Sequence, residues 1–436
     1  MAENKTNALS RRTFLGTSIA AAAGFALLPA AACSTEKNGN LRLGFIGMGQ
    51  QSMFLLDGFL QIEGVDVIAG CDVYGIKRQR FEQRVSQHYE KLGKKQQLTT
   101  YEKFGELLAR KDIDAVVIAV PDHWHALVAI AACNAGKDVY LEKPVTFTIR
   151  EGQELIKAVR RNNRILAVGS QQRSDPNFQY AISLVQEGKI GKVEKINAYV
   201  GGPPVPYDLP EEPVPADLNW DLWLGPNPYV HYNHELDPPI SLTPPKDEEL
   251  WGAWRWYRET GGGFTTDWGA HMFDIAQWGL GMDRSGPVEI TPAGYKDFKF
   301  LTYRYASGVV MTEEPFDEKL TKGVKFWGTN GWIEVARGYF NASDPSLVKK
   351  DSQQETGRYE TKIPHQVNFI DSIRKRHDPV VPVETGHRSC TVCNLGNISY
   401  ALGRPVKWDP EAENFPNDPE AEQHMHRQYR PGYSLP

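Results

Sequence analysis

Between Leu41 and Ser170, short apolar runs alternate with amphipathic segments. LRLGFIG, VDVIAGCD, DAVVIAV, DVYLEKP and ILAVGS have the apolar character of strands. Between them, FLLDGFLQ, IKRQRFEQRVSQHYEKL, HALVAIAACNAG and IREGQELIKAVRRN place their apolar residues at helical spacing. Strand and helix taking turns in this way predict an α/β domain with a doubly wound parallel sheet, closing near Asn163. After FQYAISLVQEGKIGKVEKINAYV the texture changes. Residues 201–250 are rich in Pro, Trp and Gly, as in a long ordered loop over a site or an excursion on the surface. KFLTYRYASGVVMTEE, with Ser307-Gly308, and VKFWGTNGWIEVARG, with Asn330-Gly331, then read as hairpins. The expected organisation is an N-terminal segment and polar linker over 1–40, the doubly wound parallel-sheet domain over 41–163, and over 164–436 an α+β domain with a large, mostly antiparallel open sheet and a C-terminal tail.

Composition narrows the function. A chain of 436 residues is long enough for two cores, and its 41% hydrophobic and 24% charged residues are those of a soluble globular protein. A net charge of −5 gives no basic stripe for nucleic acid. The eleven Trp residues suit both core packing and stacking against sugar faces, and composition does not choose between these uses. Of five cysteines, Cys390 and Cys393 form CTVC in an apolar helical run. A single C-x-x-C is a weak metal or redox signal, so two packed, reduced thiols and no metal site are expected.

The N-terminus reads as a targeting segment. Arg11 and Arg12 in SRRTFLG precede an apolar stretch, Ile19 to Leu28, too short to span a bilayer. This resembles a twin-arginine signal, a route that carries folded proteins with their cofactors already inside, and it implies a periplasmic location. LPAAAC ends at Cys33, where lipid attachment would anchor the chain, although alanine stands where a lipobox usually has leucine. Mature structure is expected to begin near Leu41.

Several stretches carry chemistry. Gly47-Met48-Gly49-Gln50-Gln51-Ser52 keeps the first two glycines of G-x-G-x-x-G between a strand and a helix, the setting in which a pyrophosphate rests on a helix N-terminus. Asp72, ending the next strand, is placed to accept hydrogen bonds from both ribose hydroxyls and to repel a 2'-phosphate. NAD is therefore expected over NADP, although Lys77 and Arg78 lie close by. Pro121, His123, Trp124 and His125 in VPDHWHA follow a strand at its carboxyl end, where such sheets bind ligands; the same stretch also reads as a helix start capped by Asp122. Glu142-Lys143-Pro144 follows the next strand and sets a lysine at the crevice edge, either to hydrogen-bond a substrate hydroxyl or as one more surface charge. The proline is a candidate for a cis peptide bond. In GGGFTTDWGAHMFDIAQW, Asp267 and His271 lie one helical turn apart, as an acid supporting a proton-accepting imidazole or as a helix cap and a core histidine. Gln171, Gln172 and Arg173 suit hydroxyl recognition, Trp254 and Trp268 suit stacking on a ring, and Tyr101 either lines the cofactor cleft or packs beside it.

The glycine turn, Asp72, PDHWH, Glu142-Lys143-Pro144 and the Asp267/His271 pair together resemble the Gfo/Idh/MocA oxidoreductases, the family of glucose-fructose oxidoreductase and inositol dehydrogenase. The likeness runs from Leu41 into the tail. Ser52 in place of the third glycine and the long Trp- and Pro-rich insertion depart from the family pattern. The resemblance implies an N-terminal Rossmann domain, a catalytic set of Lys143, Asp267 and His271, and His125 beside the nicotinamide. Oxidising a secondary alcohol moves a hydride to the cofactor while a proton leaves oxygen, so a base must touch the hydroxyl. His271 is the expected base, with Lys143 stabilising the oxygen. The expected function is NAD-dependent oxidation of a sugar or glycoside hydroxyl, with C3 the expected position, by a homo-oligomer (dimer or tetramer) that keeps its cofactor bound and uses a second sugar or other acceptor to reoxidise it. The rivals are a glycosidase working by oxidation, elimination, hydration and re-reduction, and a non-catalytic sugar-binding lipoprotein.

Overall fold

The computed structural model describes residues 39–242, 250–349 and 362–435, so Arg11, Arg12 and Cys33 lie outside the described residues. Six strands, β1 (Leu41–Ile46), β2 (Val65–Cys71), β3 (Thr99–Tyr101), β4 (Ala115–Ile118), β5 (Asp138–Leu141) and β6 (Leu166–Val168), form a sheet in the order β3-β2-β1-β4-β5-β6. Every pairing in it is parallel. Helices α1 (Gln50–Phe59), α2 (Gly75–Lys91), α3 (Phe104–Leu108), α4 (Asp122–Asn134) and α5 (Ile149–Arg161) connect the strands. Because helices cover both faces, a strand such as β4 is apolar and buried at every position, which is why the pattern shows continuous apolar runs. Strand order reverses between β1 and β4, and the crevice at that switch point takes the ligand in sheets of this kind.

The rest of the chain adds α6 (Pro176–Gln186), β7 (Val193–Ala198), α7 (Trp220–Leu224), α8 (Gly263–Asp267), α9 (Gly269–Gly279), β8 (Glu289–Thr291), β9 (Thr302–Arg304), β10 (Val310–Thr312), β11 (Gly323–Gly328), β12 (Gly331–Ala336), β13 (Tyr339–Ala342), α10 (Lys362–Lys375), α11 (Val383–Leu402) and β14 (Val406–Lys407). Their sheet runs β13-β12-β11-β7-β10-β9-β8-β14, antiparallel except where β7 meets β10. Both expected hairpins form. In the second, Gly328 pairs with Gly331, so Thr329 and Asn330 make the two-residue turn and Gly331 already belongs to the strand. Both sheets belong to one compact unit, Gly39–Pro436.

Two ambiguities of composition resolve through packing. Trp220 and Trp223 stack at 4.5 Å inside a buried cluster with Tyr74, Tyr232 and Trp254, so much of the aromatic content forms a small core of its own. Cys390 and Cys393 are free, buried thiols in α11, bonded to the carbonyls of Thr146 at 3.1 Å and Ser389 at 3.3 Å. Burial pushes the Cys390 thiol up to about 11, so it stays protonated.

Candidate active site

The glycine turn forms the floor of a cleft of about 1280 Å³. Gly47 has φ +82°, and a β-carbon there would come within 2.5 Å of the Ala119 carbonyl oxygen, so no other residue fits this turn. Gly49 has open space where its side chain would be. It precedes α1, which has no side-chain cap and no acid in its first turn, so the positive end of the helix is free for an anion. Met48 does not line this cleft. Its side chain is fully buried in the core, and only its backbone N–H serves the site, donating to Asp72 Oδ2 at 2.7 Å. Asp72 Oδ1 accepts from Tyr74 N at 2.9 Å, which fixes the carboxylate while each oxygen keeps a lone pair for a ribose hydroxyl. The neighbouring cations are already engaged. Lys77 pairs with Asp237, and Arg78 donates to the Asp72 carbonyl at 2.6 Å. Tyr101 packs against the core of the first sheet and is absent from the cleft lining, which corrects its expected cofactor role.

At the carboxyl end of β4, Pro121, Trp124 and His125 line the cleft and His123 does not. Both ring nitrogens of His123 face carbonyls, Thr260 O at 3.2 Å and Trp223 O at 2.9 Å, so this residue ties α4 to the second domain. His125 is held likewise by Pro144 O at 2.6 Å and Val120 O at 2.9 Å. Burial lowers the pKa of His123 to about 3 and of His125 to about 4, so each ring is neutral and its single N–H donates to one of the two carbonyls it faces. Helix α4 starts at Asp122 itself with Pro121 at the cap position, so Asp122 is a first-turn residue and not the cap that the sequence suggests.

The Lys143–Pro144 peptide is cis. Glu142 accepts from Gln51 Nε2 at 2.9 Å and from Gln171 Nε2 at 2.7 Å, which joins the glycine turn to the ends of β5 and β6. Gln171 also donates to Tyr140 Oη at 3.0 Å, so its amide nitrogen is committed to the protein and not to substrate. Gln172 is the opposite case. Its side-chain oxygen and nitrogen are buried in the cleft wall without a hydrogen-bond partner among the described residues. Arg173 is a correction too. It is 3% exposed and grips Asp274 and Asp283 with bonds of 2.8–3.0 Å, a structural clamp outside the cleft.

The end of α8, the start of α9 and the turn before α8 bring the second half of the chain to the first. Lys143 Nζ lies 2.7 Å from Asp267 Oδ1 and 3.0 Å from the Asp267 carbonyl, and Arg255 Nε lies 3.6 Å from the same carboxylate. Burial raises the Asp267 pKa, but these two cations more than offset it and hold the group ionised. The nearest partner of Asp267 is therefore the lysine and not the imidazole one turn on. His271 Nε2 accepts from Arg337 NH2 at 3.1 Å. Trp254 and Trp268 line the cleft, under Arg255 at 4.3 Å and Arg337 at 4.8 Å. Arg255 and Arg337 escaped the sequence reading here, and Asp122 was read only as a helix cap. Asp122 had a signal, since it directly follows Pro121 at a strand's carboxyl end; Arg337 had none, because only the sheet topology brings it to the site.

The residues present fit a dinucleotide. The uncapped helix end suits a pyrophosphate, Asp72 suits a ribose diol, and the unpartnered Gln172 amide suits a carboxamide. Comparison with known proteins agrees. Residues 41–170 match the profile of an oxidoreductase family's NAD-binding Rossmann fold, and residues 198–435 match that family's C-terminal alpha/beta domain. Myo-inositol 2-dehydrogenase of Thermotoga maritima is 24% identical over 389 residues, 84% of this chain and 98% of that protein. Alpha-N-acetylgalactosaminidase of Shewanella oneidensis is 29% identical over 157 residues, 35% of this chain, and the match spans only 33% of that relative's length. The WlbA dehydrogenase of Bordetella pertussis, solved with NADH and UDP-GlcNAcA, has the same fold, with a TM-score of 0.63 at 16% identity over 85% of this chain and 99% of that one. With its Rossmann half and its C-terminal half both matched, the chain belongs to the Gfo/Idh/MocA oxidoreductase family and carries that family's NAD-binding domain.

Proposed function

We propose that the protein oxidises a secondary hydroxyl of a sugar or glycoside with bound NAD. The observation that carries this reading is the meeting of Lys143, Asp267 and His271, from distant parts of the sequence, in the cleft floored by the glycine turn. The nicotinamide, when bound, accepts the hydride. Lys143 has two of its three N–H donors on Asp267, which leaves the third for the substrate oxygen as negative charge grows there. His271 accepts a hydrogen bond at Nε2, so that atom carries a lone pair and can take the hydroxyl proton once Arg337 turns away. Trp254 and Trp268 offer faces to the ring. The twin-arginine segment supports export of the cofactor-loaded chain to the periplasm, with or without a lipid at Cys33, and a second sugar or other acceptor would then reoxidise the cofactor. The open sheet face is the surface proposed for homo-oligomer formation.

A second reading has its own support, in the relative named alpha-N-acetylgalactosaminidase. A ketone formed on the ring acidifies the neighbouring C–H, the glycosidic substituent is eliminated, water adds, and the ketone is reduced again. An aryl glycoside separates the two. Ketone accumulating with the aglycone still attached supports the dehydrogenase; phenol release without ketone supports the glycosidase. Neither product from a panel of pyranosides would leave the sugar-binding reading in its place.

A further inference from the structure

Arg337 stands at the turn between β12 and β13, exposed to the cleft and lying over Trp268. The other cations near the reacting end have an acid against them: Lys143 and Arg255 share Asp267. Arg337 makes no ion pair among the described residues; its partner there is the imidazole of His271 at 3.1 Å. The acids that reach it electrostatically, Asp267, Asp175 and Glu142, are each committed elsewhere. Asp267 holds Lys143, Asp175 caps α6 through the Asn177 and Phe178 amides, and Glu142 holds Gln51 and Gln171. A guanidinium partly withdrawn from water, with its fork open to a cleft, is built for a planar anion.

We infer that the ring oxidised in this cleft carries a carboxylate, as a hexuronate does, and that Arg337 receives it. The inference rests on the proposed oxidation, whose substrate class it names. Arg337 and the base are in direct contact, so the carboxylate and the reacting hydroxyl lie near each other on the same ring. Docking of the carboxylate also draws the guanidinium off His271 Nε2 and frees that lone pair for the hydroxyl. Binding of the correct substrate thus uncovers the base, and a neutral sugar offers Arg337 nothing that would do so.

The test is calorimetric titration of the full chain, loaded with NAD, with D-glucuronate, D-galacturonate and D-mannuronate, each beside its parent hexose. At least one uronate is expected to bind about tenfold or more tightly than its hexose. The ratio should fall to about one in Arg337→Met and recover in part in Arg337→Lys. Hexoses binding as tightly as every uronate, an Arg337→Met variant that weakens both members of a pair equally, or no binding by any ring would each overturn the inference. The oxidation reading fails separately: it falls if rings that bind leave the NAD oxidised, and it survives if hexoses alone are bound and oxidised.

Discussion

Asp122 is an acid strongly altered by its surroundings. It is 4% exposed, and burial, with the Asp267 carboxylate nearby, raises its pKa from 3.8 to about 7 despite Lys143 and Arg255. The folded state therefore keeps a proton that the unfolded chain has released. The stability this gives is complete below pH 3.8 and is lost as pH rises through about 7. Asp122→Asn should flatten that dependence, with a melting temperature that falls less than the wild type's between those limits in a pH series of thermal melts. An equal fall in both proteins would mean that Asp122 ionises normally. Lys143 acts on the reaction instead. Lys143→Met should lower kcat by about 10²- to 10³-fold, the usual cost of losing one donor to a developing oxyanion, while NAD still binds by fluorescence titration.

Among the elements, the 3-10 turn after β6 distinguishes a structural arginine from a functional one. Arg173 and Arg337 look alike in sequence, and only the fold shows that the first clamps Asp274 and Asp283 while the second faces the cleft. Asp274 is 1% exposed, so Arg173→Ala would strand a buried carboxylate and should cost about 3–5 kcal/mol in denaturant unfolding. A loss of substrate affinity with stability unchanged would return Arg173 to the substrate site. Five strands of the first sheet were legible because burial on both faces writes continuous apolar runs, and the sixth, β3, was not, because its three residues are only half-buried and carry no such run. The hairpins were legible because glycine marks their turns. Short strands such as β8 and β14 leave too little periodicity to read, and Met48 misled because a motif fixes the backbone of a turn without saying which side chains point into the cleft; of the two readings of Tyr101, packing is the one found.

For the whole molecule, the cofactor half of the site was open to sequence reasoning because one strand-turn-helix unit and the acid after the next strand build it locally. The substrate half was less so. Lys143 and Asp267 stand out by position, but their contact at 2.7 Å and the approach of Arg337 to His271 come from packing between segments far apart in the chain. The central claim is that this packing sets an imidazole and an ammonium beside a bound NAD to oxidise a ring hydroxyl. It is tested most directly by mixing the purified, NAD-loaded protein with a panel of hexoses, hexuronates and their glycosides in a single turnover and following the absorbance of reduced nicotinamide. Reduced cofactor should appear with at least one ring and be lost, by about 10²-fold or more in rate, in His271→Asn. A cofactor that stays oxidised with every ring, or a His271→Asn protein that reduces it at the wild-type rate, would contradict the claim.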